Sequence, residues 1–344
     1  MFSDFILQWY LTANQRNMPW RGIKNPYKIW LSEIILQQTR VEQGLPYYEL
    51  FSKKYKTIEQ LANASDDDVF KLWQGLGYYN RCRNMLSTAR YITNELQGRF
   101  PNEYEDILKL KGIGAYTAAA IASFAFEKPH AVVDGNVVRV LSRYFGLFED
   151  FSTGKGKKFM HQFAQEQLPK TKSSVYNQAI MDFGSQVCKP LSPSCHQCPL
   201  IATCYAYRNK KIGDLPIKKK RLALKERHFN YFIITDKKSL LIQKRMKKDI
   251  WQHLYEFHLI EGGKKNALNE MKRKFNSISQ LASLQQTLSH QKIEATFFYI
   301  ETTHLKKWAK SLSMEQIAIE NIHTIAFPRI ISLFLENNFK GNSR

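Results

Sequence analysis

The sequence predicts a mostly α N-terminal domain with a thiolate-rich loop, then a basic linker and a smaller α+β domain. Three observations carry this expectation. Up to about residue 207, apolar residues recur at helical spacing between short polar or Gly-containing turns. Four of the five cysteines then crowd together as Cys188-x6-Cys195-x2-Cys198-x5-Cys204. Beyond Arg227 the apolar period becomes strand-like.

A chain of 344 residues is long enough for two domains with their own cores. Its net charge of +21, from 51 Lys and Arg against 30 Asp and Glu, fits a polyanionic partner. Apolar residues make up 44%, without an 18-residue apolar run, so no membrane span is expected. The opening MFSDFILQWY lacks a basic stretch and a small-residue cleavage site, so no secretory signal is expected. Clustered thiols persist in a reducing compartment, which points to bacterial cytoplasm.

Taken in order, the first clear helix is expected from Pro26 to Glu42, with Ile29, Trp30, Ile34, Ile35 and Val41 as its apolar positions. A second begins at Ser65, where Asp66, Asp67 and Asp68 suit the positive end of the helix dipole. Val69, Leu72 and Trp73 supply its inward face. EYEDILKL and AYTAAAIASFAF read as two helices joined by Leu110-Lys111-Gly112-Ile113-Gly114. Two glycines two apart allow a tight turn whose backbone N–H groups, at a helix N-terminus, suit a phosphate. Residues 207–227 hold nine Lys or Arg, including Lys218-Lys219-Lys220-Arg221, with Gly213 and Pro216 as breakers. They read as a linker over 208–227. HFNYFIIT, SLLIQKR and IEATFFYIE read as strands, with helices near 264–275 and 326–337.

The chemistry-bearing residues are two carboxylates and the four thiols. Asp134 stands where an apolar stretch meets a new helix, an N-cap position that favours the ionised form. Glu33 is followed by three apolar residues, so burial is expected to raise its pKa and keep it protonated. The cysteine loop selects an iron–sulfur cluster or zinc. Only Cys195 and Cys198 form a short knuckle, whereas structural zinc usually takes two. Cys82 is left over, and a buried packing role is expected.

These motifs resemble the MutY family of adenine DNA glycosylases, within the endonuclease III superfamily. WLSEIILQQT, MPWRGIKNPYKIW, LWQGLGYYNRCRN, LKGIGAYTAAAI, VDGNVVRVLSR and NQAIMDFGSQVC carry the likeness over most of residues 1–207. The remainder, 228–344, is more distantly similar to that family's Nudix-like lesion-recognition domain. WQHLYEF and Leu288-Ser289-His290 stand where the family often has W-G-G-L and Phe-Ser-His runs. The spaced glutamates of a Nudix hydrolase box are missing, so pyrophosphatase activity is not expected.

The resemblance implies a helix-hairpin-helix at 110–114 with phosphate contacts at Gly112 and Gly114, and a 4Fe–4S cluster on Cys188, Cys195, Cys198 and Cys204. It implies excision of adenine opposite 8-oxoguanine or guanine in double-stranded DNA by a monomer working near the nucleoid. Glu33 matches the general acid and Asp134 the anionic stabiliser, with Asn136 in the same motif. Bifunctional relatives carry a lysine where this chain has Tyr116, so hydrolysis without efficient strand cleavage is implied. Gln38, with Thr39 beside it, and Tyr78 match residues placed near the oxidised guanine. Ser289 and His290 match the loop that reads it from the other side, and Trp20 and Arg21 the adenine pocket. The alternatives are a thymine-mismatch or oxidised-pyrimidine glycosylase of the same superfamily, and a non-enzymatic iron–sulfur DNA-binding protein.

Overall fold

The computed structural model describes residues 2–217 and 224–339, so the Lys218-Lys219-Lys220-Arg221 run lies outside the described residues. By its contacts the chain divides into two compact units. The first is Met1–Asn63 with Asn84–Lys220, and the second is Ala64–Arg83 with Arg221–Arg344. Residues 64–83 therefore group with the C-terminal part, whereas the sequence alone assigns them to 1–207.

Twelve helices run through the described residues up to Arg208. They are α1 (Phe2–Ala13), α2 (Pro26–Leu36), α3 (Val41–Lys54), α4 (Ile58–Ala62), α5 (Asp66–Trp73) and α6 (Asn80–Glu95). There follow α7 (Tyr104–Leu108), α8 (Ala115–Phe126), α9 (Gly135–Phe145), α10 (Gly154–Glu166), α11 (Ser173–Gln186) and α12 (Tyr205–Arg208). Side-chain caps start several of them: Asn25, Thr57, Ser65, Asp134 and Thr153 each accept from a first-turn N–H. Each cap is worth about 1 kcal/mol. In the first unit α11 packs against α1 and α9 around Phe183, Val140, Tyr176 and Ile6, and α2 packs against α8.

The helix expected from Pro26 to Glu42 is in fact two. α2 ends at Leu36, Gln37 turns extended at ψ 114°, and Gln38 takes φ +56°. A bond from Thr39 N to Leu36 O closes the turn before α3 begins. The polar run Gln37-Gln38-Thr39-Arg40 has no apolar partner to continue the buried stripe, so the chain leaves the helix there.

The second unit is a seven-stranded sheet ordered β3-β2-β1-β6-β5, with β4 pairing β1 and β7 pairing β2. Its strands are β1 (Lys225–Thr235), β2 (Ser239–Lys244), β3 (Tyr255–Glu256), β4 (His258–Glu261), β5 (Ser279–Thr287), β6 (Gln291–Glu301) and β7 (Glu315–Ala318). β1 and β6 run parallel from Lys225↔Gln291 to Thr235↔Glu301, and the other pairs are antiparallel. Strand alternation sends Phe232, Ile234, Phe298 and Ile300 to one face, under α13 (Lys264–Lys272) and α14 (Leu305–Leu312). On the other face Phe297 stacks on Phe334 of α15 (Arg329–Asn338), with ring centroids 4.1 Å apart. α5 joins this unit through Gln74 Nε2 to Ser332 Oγ at 2.5 Å, Lys71 Nζ to Ile325 O at 3.0 Å, and the Lys244–Asp67 pair at 2.8 Å. No described helix is long and apolar enough to cross a membrane.

Candidate active site and cysteine loop

Both carboxylates named from sequence open into one cavity of about 570 Å³ in the first unit. Glu33 enters it from α2, a helix so apolar that the side chain is only 7% exposed. Tyr116 enters from the first turn of α8, and its phenol hydrogen-bonds the Glu33 carboxyl. Burial raises the Glu33 pKa to about 7, as expected. Asp134 adds to the rise, while the Tyr116 bond and Arg21 oppose it.

Asp134 is the N-cap of α9. Its Oδ1 accepts from Asn136 N and Val137 N, both at 2.8 Å, and its Oδ2 from Asn136 Nδ2 at 2.6 Å. These donors favour the anion as the sequence suggests, yet burial outweighs them and the carboxyl sits above its usual value. Asn136 is itself held by Arg139, whose Nη2 donates to Asn136 Oδ1 at 2.8 Å and whose Nε reaches Cys188 O at 2.7 Å.

Trp20 and Arg21 also line this cavity, as do Gln38 and Thr39 beside the α2–α3 turn. Trp20 meets Tyr48 edge to face at 4.9 Å, and Gln37 Nε2 donates to Thr117 Oγ1 at 3.2 Å. Sequence reasoning missed the wall supplied by α11. Gln178, Met181 and Asp182 lie along one face of that helix, and Asp182 is 1% exposed. Arg21 Nη2 donates to Asp182 Oδ1 at 2.9 Å and Arg16 Nη1 at 3.3 Å. The available signal was NQAIMDFGS, where polar Gln178, Asp182 and Ser185 recur at helical spacing.

In the hairpin, Gly112 takes φ +80°, and a Cβ there would sit 2.6 Å from Asn84 Cβ, so only glycine fits. Gly114 caps α8 without a side-chain bond, which leaves the first-turn N–H groups to other acceptors. Tyr78, Ser289 and His290 are not among the cavity residues; all three belong to the second unit. Tyr78 is 45% exposed at φ +49°. Ser289 and His290 sit exposed in the β5–β6 turn, with Ser289 Oγ 3.1 Å from His290 Nδ1.

The four cysteines are reduced and line one small cavity with apolar Val187, Pro193, Ile201 and Ile212. Arg143 Nη1 lies 3.6 Å from Cys188 Sγ and also donates to Lys189 O at 2.7 Å, while Nη2 donates to Pro190 O at 3.2 Å. Among the described residues no three His, Cys, Asp or Glu side chains are arranged to hold a metal ion. Four thiols around one apolar pocket are a donor set that fits an iron–sulfur cluster. Cys82 is fully buried on α6.

Residues 31–169 match the family described as HhH-GPD superfamily base excision DNA repair protein, and residues 230–337 match the NUDIX domain. An adenine DNA glycosylase of Buchnera aphidicola from Schizaphis graminum is 33% identical over 98% of both chains. The chain belongs to the adenine DNA glycosylase family. Its human relative of that name is 39% identical over 60% of this chain and 39% of its own. A solved thermostable thymine-DNA glycosylase is 32% identical with a TM-score of 0.56, covering 60% of this chain and 95% of its own. Endonuclease III trapped on DNA, at 22% identity and a TM-score of 0.53, shares the fold. The first unit thus has the helix-hairpin-helix glycosylase architecture of an enzyme family, and the sheet of the second corresponds to a Nudix-like domain.

Proposed function

We propose that the protein hydrolyses the N-glycosidic bond of adenine mispaired with 8-oxoguanine or guanine in duplex DNA. The observation that carries this is one cavity holding a carboxyl of pKa about 7 beside a second carboxylate capped by backbone donors. The target base leaves the stack to reach these groups. Glu33, protonated near neutrality, donates to the adenine ring nitrogen N7 as the bond breaks, and Tyr116 keeps its carboxyl aimed. Asp134, held by Asn136, faces the positive charge that develops on the sugar, until water adds at the anomeric carbon and gives its proton to the Glu33 carboxylate. Trp20 and Arg21 bound the pocket for the base. Tyr116 stands where a Schiff-base lysine would be needed, so the product is an abasic site without efficient strand cleavage.

Gly112 and Gly114 present backbone N–H groups to phosphate. Gln38, Thr39 and Tyr78 are assigned to the base opposite the adenine, and exposed Ser289 and His290 to its other side. Cys188, Cys195, Cys198 and Cys204 would hold a 4Fe–4S cluster, which when bound ties residues 188–204 into a rigid loop. The protein acts as a monomer on nucleoid DNA in the bacterial cytoplasm; near full-length similarity to a bacterial relative supports that setting.

Thymine excision is the second reading, motivated by the 32% identical thymine-DNA glycosylase. That structure covers only 60% of this chain, whereas the Buchnera relative spans both units, which favours adenine. Single-turnover assays on duplexes with A opposite 8-oxoguanine, A opposite G, T opposite G, and thymine glycol decide the matter. Release of adenine from the first two is expected; release of thymine or thymine glycol with adenine untouched would overturn the reading.

A further inference from the structure

The sheet of the second unit carries on one face a pair of helices whose outer surface is rich in lysine. In α14 the apolar residues Leu305, Trp308, Ala309 and Leu312 pack inward, and Lys306, Lys307 and Lys310 are left exposed. In α13 Ala267, Leu268 and Met271 pack inward, leaving Lys264, Lys265 and Lys272 outward. The two helices are neighbours, since Phe275 just beyond α13 meets Trp308 of α14 with ring centroids 4.2 Å apart. Residues 264–274 and 305–312 together hold eight Lys or Arg and a single Glu. That Glu270 lies 3.7 Å from Lys274.

Several cations elsewhere in the unit are paired. Arg227, Lys237, Lys244, Arg245 and Lys292 each lie within 4 Å of a carboxylate. Among the described residues Lys265, Lys272, Arg273 and the three α14 lysines form no ion pair. Like charges crowded without counter-charge repel one another and attract a polyanion.

We propose that this α13–α14 face binds the phosphate backbone of duplex DNA, as a contact separate from the cavity that holds the excised base. The outward positions between the cations are Asn266, Asn269 and Ser311, donors suited to phosphate oxygens. A membrane-binding helix would instead present Trp308 outward, and here that ring is turned inward onto Phe275. The choice of DNA as the polyanion rests on the function proposed above; the charge pattern stands independently of it.

The test neutralises K306Q, K307Q and K310Q together in the full chain and measures affinity for an undamaged duplex against salt concentration. Each phosphate contact contributes about 0.9 to the slope of log affinity against log salt, so the slope should fall by about 2 to 3. A control triple, K53Q, K54Q and K56Q, removes the same charge from exposed positions of the first unit and should leave the slope nearly intact. Single-turnover adenine release at saturating protein should be unchanged in both, and a variant with those lysines as arginines should keep the original slope. An unchanged slope in the α14 triple would overturn the proposal, whatever that variant did to binding of anionic phospholipid vesicles. So would equal losses in both triples, which would mark a general charge effect. Absence of adenine release from wild type would sink the enzymatic reading while leaving the slope comparison valid.

Discussion

Each unit holds a cluster of charged side chains, partly exposed in the second unit, and the two clusters are balanced in opposite ways. In the second unit Arg227 forks onto Asp249 and Glu261 at 2.7–2.9 Å, while Arg245 reaches Asp249 at 3.2 Å and also pairs with Glu256. Hydrogen bonds from Arg227 hold Asp249 and Glu261 below the usual carboxylate range. Only the more enclosed Glu256 sits above it, because burial outweighs its arginine. In the first unit Glu33 has no such partner. Arg21, whose charge opposes the rise, donates instead to Asp182, and burial lifts Glu33 to about 7. A paired cluster stays charged across the neutral range and holds strands together. An under-compensated carboxyl keeps a proton that it can give away at neutral pH, which is what an acid catalyst needs.

The largest test of this contrast removes the exchangeable proton or the anion while keeping shape. Glu33→Gln and Asp134→Asn should each slow adenine release by about a thousandfold or more, near 4 kcal/mol in the barrier. Duplex binding should persist, since neither change touches the hairpin. Single-turnover rates within about tenfold of wild type would remove that residue from the catalytic assignment.

Breaking the paired cluster should instead cost stability. Arg245 is 9% and Glu256 4% exposed, so Arg245→Ala leaves a carboxylate buried without its partner. Denaturant unfolding should show a loss of about 3–5 kcal/mol. The rate of adenine release per folded molecule should not change. Little loss of stability would mean that water replaces the guanidinium and that the pairing matters less than its burial implies.

Much of the first cluster was legible in the sequence, because chemistry demands particular residue types at fixed places. Glu33, Asp134 and the four cysteines stand out against their neighbours for that reason. Asp182 did not, because a polar residue on a helix face reads as solvent-facing until a distant arginine is folded against it. Gln74 and Ser332 likewise hold residues 64–83 to the second unit across 258 positions, with no local pattern to announce it. The α2–α3 break was hidden because Val41 lies in register with the apolar stripe of α2, although the polar turn intervenes. One practical consequence concerns truncation. Cutting the chain near 228 would strip α5 and the Tyr78 loop of their packing, so point changes probe lesion reading more cleanly.

The pH dependence sharpens the same comparison at a smaller scale. If Glu33 acts as the acid, single-turnover rates should be flat below its folded pKa of about 7 and fall roughly tenfold per pH unit above it. The sign for stability follows. Folding raises this pKa from 4.5, so the unfolded chain loses its proton first as pH rises. The stability linked to that proton is complete below about 4.5 and lost progressively up to about 7. Glu33→Gln should therefore be more stable than wild type at pH 8, by on the order of 2–3 kcal/mol, and nearly equal to it at pH 4.5. An identical stability difference at both pH values would show that the buried carboxyl does not titrate in this window.

The smallest expected effect concerns how Tyr78 is presented. Three residues of its loop, Gly75, Gly77 and Tyr78, take positive φ, a conformation that must be held from outside. Arg81 holds it: its guanidinium lies 5.1 Å from the Trp73 ring and 5.5 Å from the Tyr78 ring, and it donates to Gly77 O at 3.3 Å. Trp73 Nε1 grips the same carbonyl at 2.9 Å. Arg81→Lys keeps the charge but loses the planar fork that stacks and bonds at once. The loop should loosen and the preference for 8-oxoguanine over guanine opposite adenine should drop by about 1 kcal/mol, near fivefold. Adenine release from the plain A opposite G duplex should hardly change. Tyr78→Ala sets the ceiling for the loss. If Tyr78→Ala lowered the preference and Arg81→Lys left it whole, Arg81 would not be what positions the ring. If neither lowered it, Tyr78 itself would have no part in reading the lesion.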